Sequence, residues 1–268
     1  MKVAIQGEPG SFSHEAAGIL APGADIVPCA ISAEVFASLS DRGADAAVIP
    51  IENSLAGSVL EHFDLLLSHD VLIVEEMPLR IRHNLIALPE ARIEEIQHVL
   101  SHAVALAQCR RFLAAHPGME AVAFYDTAGS VKHVMTKRDP ATAAIASQAA
   151  ARYYGARVLK ADIEDNPENY TRFFLVCRAE DAVRDPAANK ISVAFSLENR
   201  PGSLAAALNE LAAIGTNLTK IESRPVQGKP WQYVFYLDCQ IGSAEEGDRA
   251  LEALRKHCGM AKELGSYR

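Results

Sequence analysis

Val3-Ala4-Ile5-Gln6-Gly7-Glu8-Pro9-Gly10-Ser11-Phe12-Ser13-His14-Glu15 opens the chain and decides its class. A short apolar run predicts a buried strand, the two glycines a tight turn, Ser11 a helix cap, and the alanine-rich residues to Leu20 a helix. Strand, glycine-rich turn and capped helix present free amides and the positive helix end to a cleft, an arrangement that suits an anion. The phosphate-loop pattern is absent because no Lys follows the turn, and G-x-G-x-x-G is absent too, so a carboxylate fits better than a nucleotide phosphate. His14-Glu15 starts like the zinc motif H-E-x-x-H, but position 18 is Gly, which excludes that site on spacing. A plain tight turn before a capped helix is the alternative reading.

Working outward, the same alternation recurs. Ile26-Val27 reads as a strand, Ser32 as the cap of a helix to Arg42, and Asp45 to Ile49 as a strand ending in Pro50-Ile51-Glu52-Asn53-Ser54-Leu55-Ala56-Gly57-Ser58, with a helix from Gly57 to Leu67. Val71 to Val74 reads as a strand and Leu79 to Leu88 as extended, and within that second stretch the chain is expected to cross into a second lobe. Val99 to His102 predicts a strand and turn, Ala103 to Ala115 a helix, Val122 to Tyr125 a strand, Thr127 to Lys137 a helix, and Thr142 to Tyr154 a second, alanine-rich helix. Asn169-Tyr170-Thr171-Arg172-Phe173-Phe174-Leu175-Val176 puts an amide, a hydroxyl and a guanidinium at the mouth of a buried strand that returns to the first lobe. The alternation of strands and helices indicates βαβ units and a parallel sheet. Polar residues at strand ends are where such folds place a cleft: Gly10 to Ser13, Asn53-Ser54, His83-Asn84, Ser101-His102 and Thr171-Arg172.

The chain has 268 residues, 49% of them hydrophobic, and a formal net charge of −8. That length supports more than one compact unit. No basic block offsets the acidic balance, so nucleic acid and anionic membrane are not expected as partners. The five cysteines, Cys29, Cys109, Cys177, Cys239 and Cys258, are odd in number and lack a CxxC spacing, which reads as free thiols in a reducing, cytoplasmic setting. No apolar run reaches 18 residues and no leader pattern follows Met1. His98 and His102 are four apart but sit on a strand and turn, so no metal is expected.

Residues 1–180 thus read as two α/β lobes. Ala179 to Asn189 is polar and reads as a linker. Residues 190–268 then give strand, helix, strand, strand, helix, strand, with turns at Asn199 to Gly202 and Gln227 to Pro230, which is a ferredoxin-like βαββαβ unit suited to pairing with a second copy.

These motifs together resemble the monofunctional prephenate dehydratases that carry a C-terminal ACT regulatory domain. The resemblance runs over essentially the whole chain. It rests on Gly7-x-x-Gly10-Ser11-Phe12-Ser13, Ile51 to Gly57, His83-Asn84-Leu85, Ser101-His102 with Gln108-Cys109, and Asn169-x-Thr171-Arg172-Phe173, and in the second unit on Gly202-Ser203-Leu204-Ala205 and Glu222-Ser223-Arg224-Pro225. Two departures stand out. The family has Pro-Gln after Ser-His where this chain has Ala103-Val104, and its Gly-Ala-Leu-Val effector motif has Ser203 and Ala205 here, which bears on effector identity and affinity. No mutase-like helical extension precedes Met1, so a fused bifunctional enzyme is not expected.

The resemblance implies a periplasmic-binding-protein-like (type II) catalytic domain over 1–180, an ACT domain over 190–268 and a homodimer or homotetramer. It implies that prephenate loses its ring hydroxyl and ring carboxylate to give phenylpyruvate, CO2 and water, with L-phenylalanine as feedback effector. Aromatisation drives that step, so no metal or organic cofactor is expected. Thr171 would act as a hydrogen-bonding acid on the departing oxygen. Arg172 is either a carboxylate clamp or the salt bridge of a hinge. Asn53, Ser54, Ser101 and Gln108 supply neutral donors, and His102 a positioning hydrogen bond or an acid. Ser11, Phe12, Ser13, Asn84 and Phe173 would contact substrate, Phe173 as part of a dry wall that eases loss of CO2. Asn199, Gly202, Ser203, Leu204, Glu222, Ser223, Arg224 and Pro225 would hold the effector. Arogenate dehydration, the same chemistry on the amino-acid analogue, and a non-catalytic two-lobed ligand sensor are the competing readings.

Overall fold

The computed structural model describes residues 1–226 and 228–268, so Gln227 of the expected turn lies outside the described residues. The chain divides into two compact units: residues 1–59 with 77–173, and residues 60–76 with 174–268. The division falls within a strand after Phe173, whereas the polar composition of Ala179 to Asn189 suggested a boundary there.

The first unit opens with β1 (Lys2–Gln6), α1 (Phe12–Leu20), β2 (Asp25–Cys29), α2 (Ser32–Ser40), β3 (Ala46–Asn53) and β4 (Gly57–Ser58). β1 lies between β2 and β3 and runs parallel to both, as expected of βαβ units. Val3, Ala4, Ile5, Ala47, Val48 and Ile49 are fully buried on this sheet, as are Val35, Phe36 and Leu39 of α2. Two local readings change. Ser32 is the first residue of α2, and its hydroxyl donates to Gln6 Oε1 at 3.1 Å instead of capping. Gly57 starts no helix: β4 folds back on β3 through the pairs Asn53–Gly57 and Glu52–Ser58. The helix α3 (Leu60–Ser68) begins later and belongs to the second unit, and β5 (Val71–Arg80) carries the chain back.

The second lobe of this unit contains β6 (Asn84–Ala87), β7 (His98–Ser101), α4 (Ala103–Ala107), α5 (Arg110–Ala114), β8 (Glu120–Ala123), α6 (Thr127–Lys137), β9 (Thr142–Ala146), α7 (Gln148–Tyr154) and β10 (Arg157–Lys160). Its sheet runs β10-β6-β9-β7-β8, antiparallel on the β10 and β6 side and parallel from β9 to β8. The helix expected over Thr142 to Tyr154 is a correction. Thr142-Ala143-Ala144-Ile145-Ala146 is the central strand, buried at every position, and Ser147 caps the shorter α7. Small side chains let β9 sit between β6 and β7 with helices on its faces, and that packing overrides alanine's helix propensity. The helix expected over Ala103 to Ala115 is likewise broken into α4 and α5 at Gln108 and Cys109.

The two lobes meet at the opening turn. Ser147 Oγ donates to Gly10 O at 2.6 Å, and Gly10 has φ +89°. A Cβ on Gly10 would lie 2.6 Å from the Cα of Ala150. Gly10 is therefore demanded twice, by its backbone conformation and by the approach of α7. β11 (Tyr170–Arg178) returns the chain beside β3.

The second unit adds β12 (Lys190–Ser196), α8 (Ser203–Ala213), β13 (Asn217–Pro225), β14 (Tyr233–Gln240), α9 (Ala244–Arg255) and β15 (Met260–Tyr267). The order βαββαβ and the sheet β13-β14-β12-β15 are those expected of a ferredoxin-like unit. Ile191, Val193, Phe195, Leu211, Leu237 and Leu254 fill its core. β15 pairs in parallel with β5 through Gly265 and Ile73. Asp64 on α3 holds Arg224 of β13 in a side-on bidentate pair, with Nε donating to Oδ1 at 3.2 Å and Nη2 to Oδ2. The stretch expected to be a linker is tied down, with Arg184 on Asp248 and Arg268 on Asp185.

Gly10→Ala is expected to cost about 2–4 kcal/mol, from a strained left-handed alanine plus forced repacking against Ala150. Equilibrium denaturant unfolding checks this; a variant as stable as the parent would show that the lobes do not meet as described.

Candidate active site

A cavity of about 770 Å3 lies in the first unit where the ends of β1, β3, α4, α6 and β11 converge. Gln6 to Glu8 and Ser11 to Ser13 line it from the opening turn, Asn53 and Ala56 to Val59 from the β3–β4 hairpin, and Thr171 and Phe173 from β11. His83, His102, Gln108 and Tyr125 to Thr127 complete the wall.

Its polar side is an ordered chain of amides whose orientation follows from the backbone. Asn53 Oδ1 accepts the amides of Leu55 at 3.0 Å and Ala56 at 2.8 Å. Asn53 Nδ2 is therefore the donor, and its two hydrogens serve Asn169 Oδ1 at 2.7 Å and Thr171 Oγ1 at 2.9 Å, with Tyr170 O at 3.1 Å as a shared third acceptor. With Asn169 Oδ1 accepting, Asn169 Nδ2 donates to Gln108 Oε1 at 3.0 Å. The same Gln108 oxygen faces His83 Nε2 at 2.9 Å, so Nε2 carries the imidazole hydrogen. Burial lowers the His83 pKa, more than the nearby Gln108 and Glu164 raise it, and the ring is neutral.

This chain fixes Thr171. Its oxygen accepts from Asn53, and no acceptor among the described residues takes its hydrogen. The hydroxyl is left as a donor facing the cavity.

Eight of the sequence-expected residues line the cavity: Thr171, Asn53, His102, Gln108, Ser11, Phe12, Ser13 and Phe173. Ser11 caps α1, accepting His14 N at 3.3 Å, and the amides of Phe12 and Ser13 lie in the first turn with no helical carbonyl before them. His102 caps the start of α4 through Val104 N at 3.3 Å.

Four others lie off it. Ser101 is fully buried and gives its hydroxyl to Ile145 O at 2.6 Å. Asn84 donates to Ala146 O at 3.1 Å, which joins β6 to β9. Ser54 donates to Glu168 O at 3.0 Å and accepts Tyr170 N at 2.9 Å, and so holds the approach to Thr171. Arg172 Nη1 lies 3.3 Å from Glu52 Oε1 on the neighbouring strand, and Arg172 is not among the residues that line the cavity. Among the described lining residues there is no Lys or Arg.

The sequence places His83 in the expected cleft and Asn169 beside Thr171 without assigning a role to either, and it assigns none to Glu8 or Asp126. Asp126 repeats the strand–cap–helix pattern of Ser11: its Oδ1 accepts Gly129 N at 2.6 Å at the start of α6. Burial raises its pKa, and the neighbouring Glu8 carboxylate adds to the rise. Glu8 is offset by Lys132 at 2.9 Å and bonded by Tyr125 OH at 3.1 Å. Asn169, the amide of the Thr171 stretch, is completely buried, which its position before a strand does not reveal.

In the second unit a cavity of about 480 Å3 is lined by Asn199, Gly202, Ser203, Leu204, Trp231 and Tyr233, among others. The single Ser203 hydroxyl hydrogen lies between Glu198 O at 2.8 Å and Arg200 O at 3.0 Å, so it is spent on the turn. Glu222 to Pro225 do not line this cavity.

No group of three or more His, Cys, Asp or Glu among the described residues could hold a metal ion. No described helix is long and apolar enough to cross a membrane.

The profile of the prephenate dehydratase family matches residues 3–181. Arogenate dehydratase 2 of Petunia hybrida is 39% identical over 282 residues, covering 100% of this chain and 71% of its own. Among solved structures, the prephenate dehydratase of Arthrobacter aurescens in complex with L-Phe superposes with a TM-score of 0.89 at 33% identity, over 100% of this chain and 89% of that one. A protein described as GqqA, a novel type of quorum quenching acylases, superposes at 0.91 with 32% identity, over 100% and 97%. With the family match spanning both lobes around the cavity, the chain belongs to the prephenate dehydratase family.

Proposed function

We propose that the protein catalyses the decarboxylating dehydration of prephenate to phenylpyruvate, CO2 and water, and that the Thr171 hydroxyl is the group that meets the departing ring oxygen. One observation carries this reading: Asn53 fills the acceptor side of Thr171 Oγ1 and leaves its hydrogen for substrate. A threonine hydroxyl is far too weak an acid to ionise near neutrality, so it assists by a hydrogen bond that tightens as the C–O bond breaks. The first-turn amides of Phe12 and Ser13 suit a substrate carboxylate. Phe12, Phe173 and Ile81 give the cavity an apolar side, where a charged carboxylate is disfavoured relative to neutral CO2.

Arogenate is the second reading. Glu8 and Asp126 line the cavity, and a substrate whose side chain carries an ammonium suits them better than a keto acid. Purified protein assayed with each substrate separates the two. Turnover of neither would end the dehydratase reading and leave the two-lobed sensor.

The βαββαβ unit is proposed as an ACT domain that binds L-phenylalanine at the cavity around Asn199 and Leu204, with Glu222 to Pro225 contributed across a homodimer or higher assembly. The L-Phe complex of the Arthrobacter protein supports this. Arg224 is held by Asp64, and α3 follows directly in the chain from Val59, which lines the catalytic cavity.

Thr171→Ala is expected to lower kcat by about 10²–10⁴-fold with KM changed far less, and Thr171→Ser to retain most activity. Equal loss for the two variants would remove the hydroxyl from the chemistry. Asn53→Asp keeps the acceptor for Leu55 and Ala56 but lacks the Nδ2 donor. Its kcat is expected to fall with the fold intact by circular dichroism. L-phenylalanine is expected to bind, by calorimetry, and to inhibit; Asp64→Asn is expected to keep binding and weaken inhibition, and unchanged inhibition would detach Arg224 from the coupling.

A further inference from the structure

His83 lines the catalytic cavity yet is only 2% exposed, and its Nδ1 is a buried atom with no hydrogen-bond partner. Its state is dictated. Asn53, Asn169 and Gln108 pass one orientation along the amide chain and place the hydrogen on Nε2, so Nδ1 is a bare lone pair. The rest of the residue is committed: its backbone amide donates to Glu164 Oε2 at 3.0 Å, and its carbonyl accepts Ile163 N at 2.9 Å. Phe12, from the turn on the opposite lobe, packs against the ring at 5.6 Å with the planes at 81°. A buried acceptor with no donor is costly, and proteins rarely keep one without a use.

We infer that His83 Nδ1 is a substrate-binding acceptor, which takes an N–H or O–H from the bound substrate while the Asn53–Asn169–Gln108 chain holds the imidazole in the tautomer that can accept. The inference rests on the dehydratase reading for the identity of the substrate. Both substrate candidates carry the chemistry required: prephenate has a ring hydroxyl, and arogenate has that hydroxyl and an ammonium. A neutral acceptor suits either, because a charged imidazolium at this place would offer Nδ1–H and repel an ammonium.

Two variants divide the ring's functions. His83→Gln keeps a donor near Nε2 for Gln108 and loses the Nδ1 acceptor; His83→Asn keeps an acceptor near Nδ1 and loses contact with Gln108. His83→Gln is expected to lower kcat/KM by about 10- to 100-fold, and His83→Asn by less, with thermal unfolding recorded for both. Loss on both substrates assigns the ring hydroxyl as donor; loss on arogenate alone assigns the ammonium. Activity unchanged in His83→Gln, or an equal loss in the two variants, overturns the inference. In parallel, the histidine 15N shifts of Thr171→Ala protein are followed on titration with prephenate and with arogenate. The free protein is expected to show the Nε2–H tautomer, and the Nδ1 resonance of His83 to move on saturation. Saturation with no movement overturns the role. That titration reports on His83 even where wild-type turnover is absent, so failure of the dehydratase reading and failure of this inference are separable.

Discussion

The Asn53 side chain, with its oxygen held by the amides of Leu55 and Ala56, is the constraint from which the catalytic geometry descends. An asparagine amide has two nearly isosteric ends, and a free one can turn over. Here two backbone donors choose the oxygen, and every later choice follows: Asn169 must accept and then donate, Gln108 must accept, His83 must protonate at Nε2, and Thr171 must keep its hydrogen. The hairpin that makes this possible is short. β4 folds back on β3 directly after Asn53, which puts two amides within reach of a side chain on the same turn. Neutral groups alone thus produce a directional network without a buried charge, which would carry a heavy desolvation cost.

That network only works if the lobe bearing Gln108 and His83 stays fixed against the lobe bearing Asn53. Gly10 on Ala150 and the Ser147–Gly10 hydrogen bond supply a contact with no room for slack, because one side is bare backbone. The break between α4 and α5 is part of the same design. A continuous helix over Ala103 to Ala115 would commit Gln108 to a helical face, whereas here it ends α4, and Asp165 accepts the amides of Arg110 and Arg111 at the new start. Gln108 O in turn accepts Asp165 N at 2.7 Å.

Much of this was legible in the sequence, and the failures share a cause. β1, α1, α6 and the βαββαβ unit were read from glycines, caps and apolar periods, all local signals. β9 was read as helix because alanine is a local helix former, while its strand identity comes from partners distant in the chain. Ser101 and Asn84 were placed in the cleft because they sit at strand ends, but their polar atoms turn inward to satisfy carbonyls of β9. Strand-end position says that a residue is near a cleft, not which way its side chain points. His83 shows the converse: its place near the cleft is legible in the sequence, but its role becomes readable only when its partners, and the atom without one, are known.

The charge of the cavity connects this architecture to the proposed chemistry. A decarboxylation loses negative charge from the carboxylate that departs, so a cation fixed on that group would stabilise the starting state and oppose the step. Arg172 lies on Glu52, and among the described lining residues no Lys or Arg faces the cavity. Helix-start amides and neutral side chains bind an anion with less grip than a guanidinium pair, and their attraction falls away as the charge leaves. In the proposed reaction the leaving oxygen has the opposite need, because negative charge grows on it, and the Thr171 hydroxyl, whose hydrogen the network leaves unspent, would serve it. On that proposal, weak recognition of the carboxylate and a dedicated donor for the hydroxyl would be two halves of the same preference for the transition state over the bound substrate.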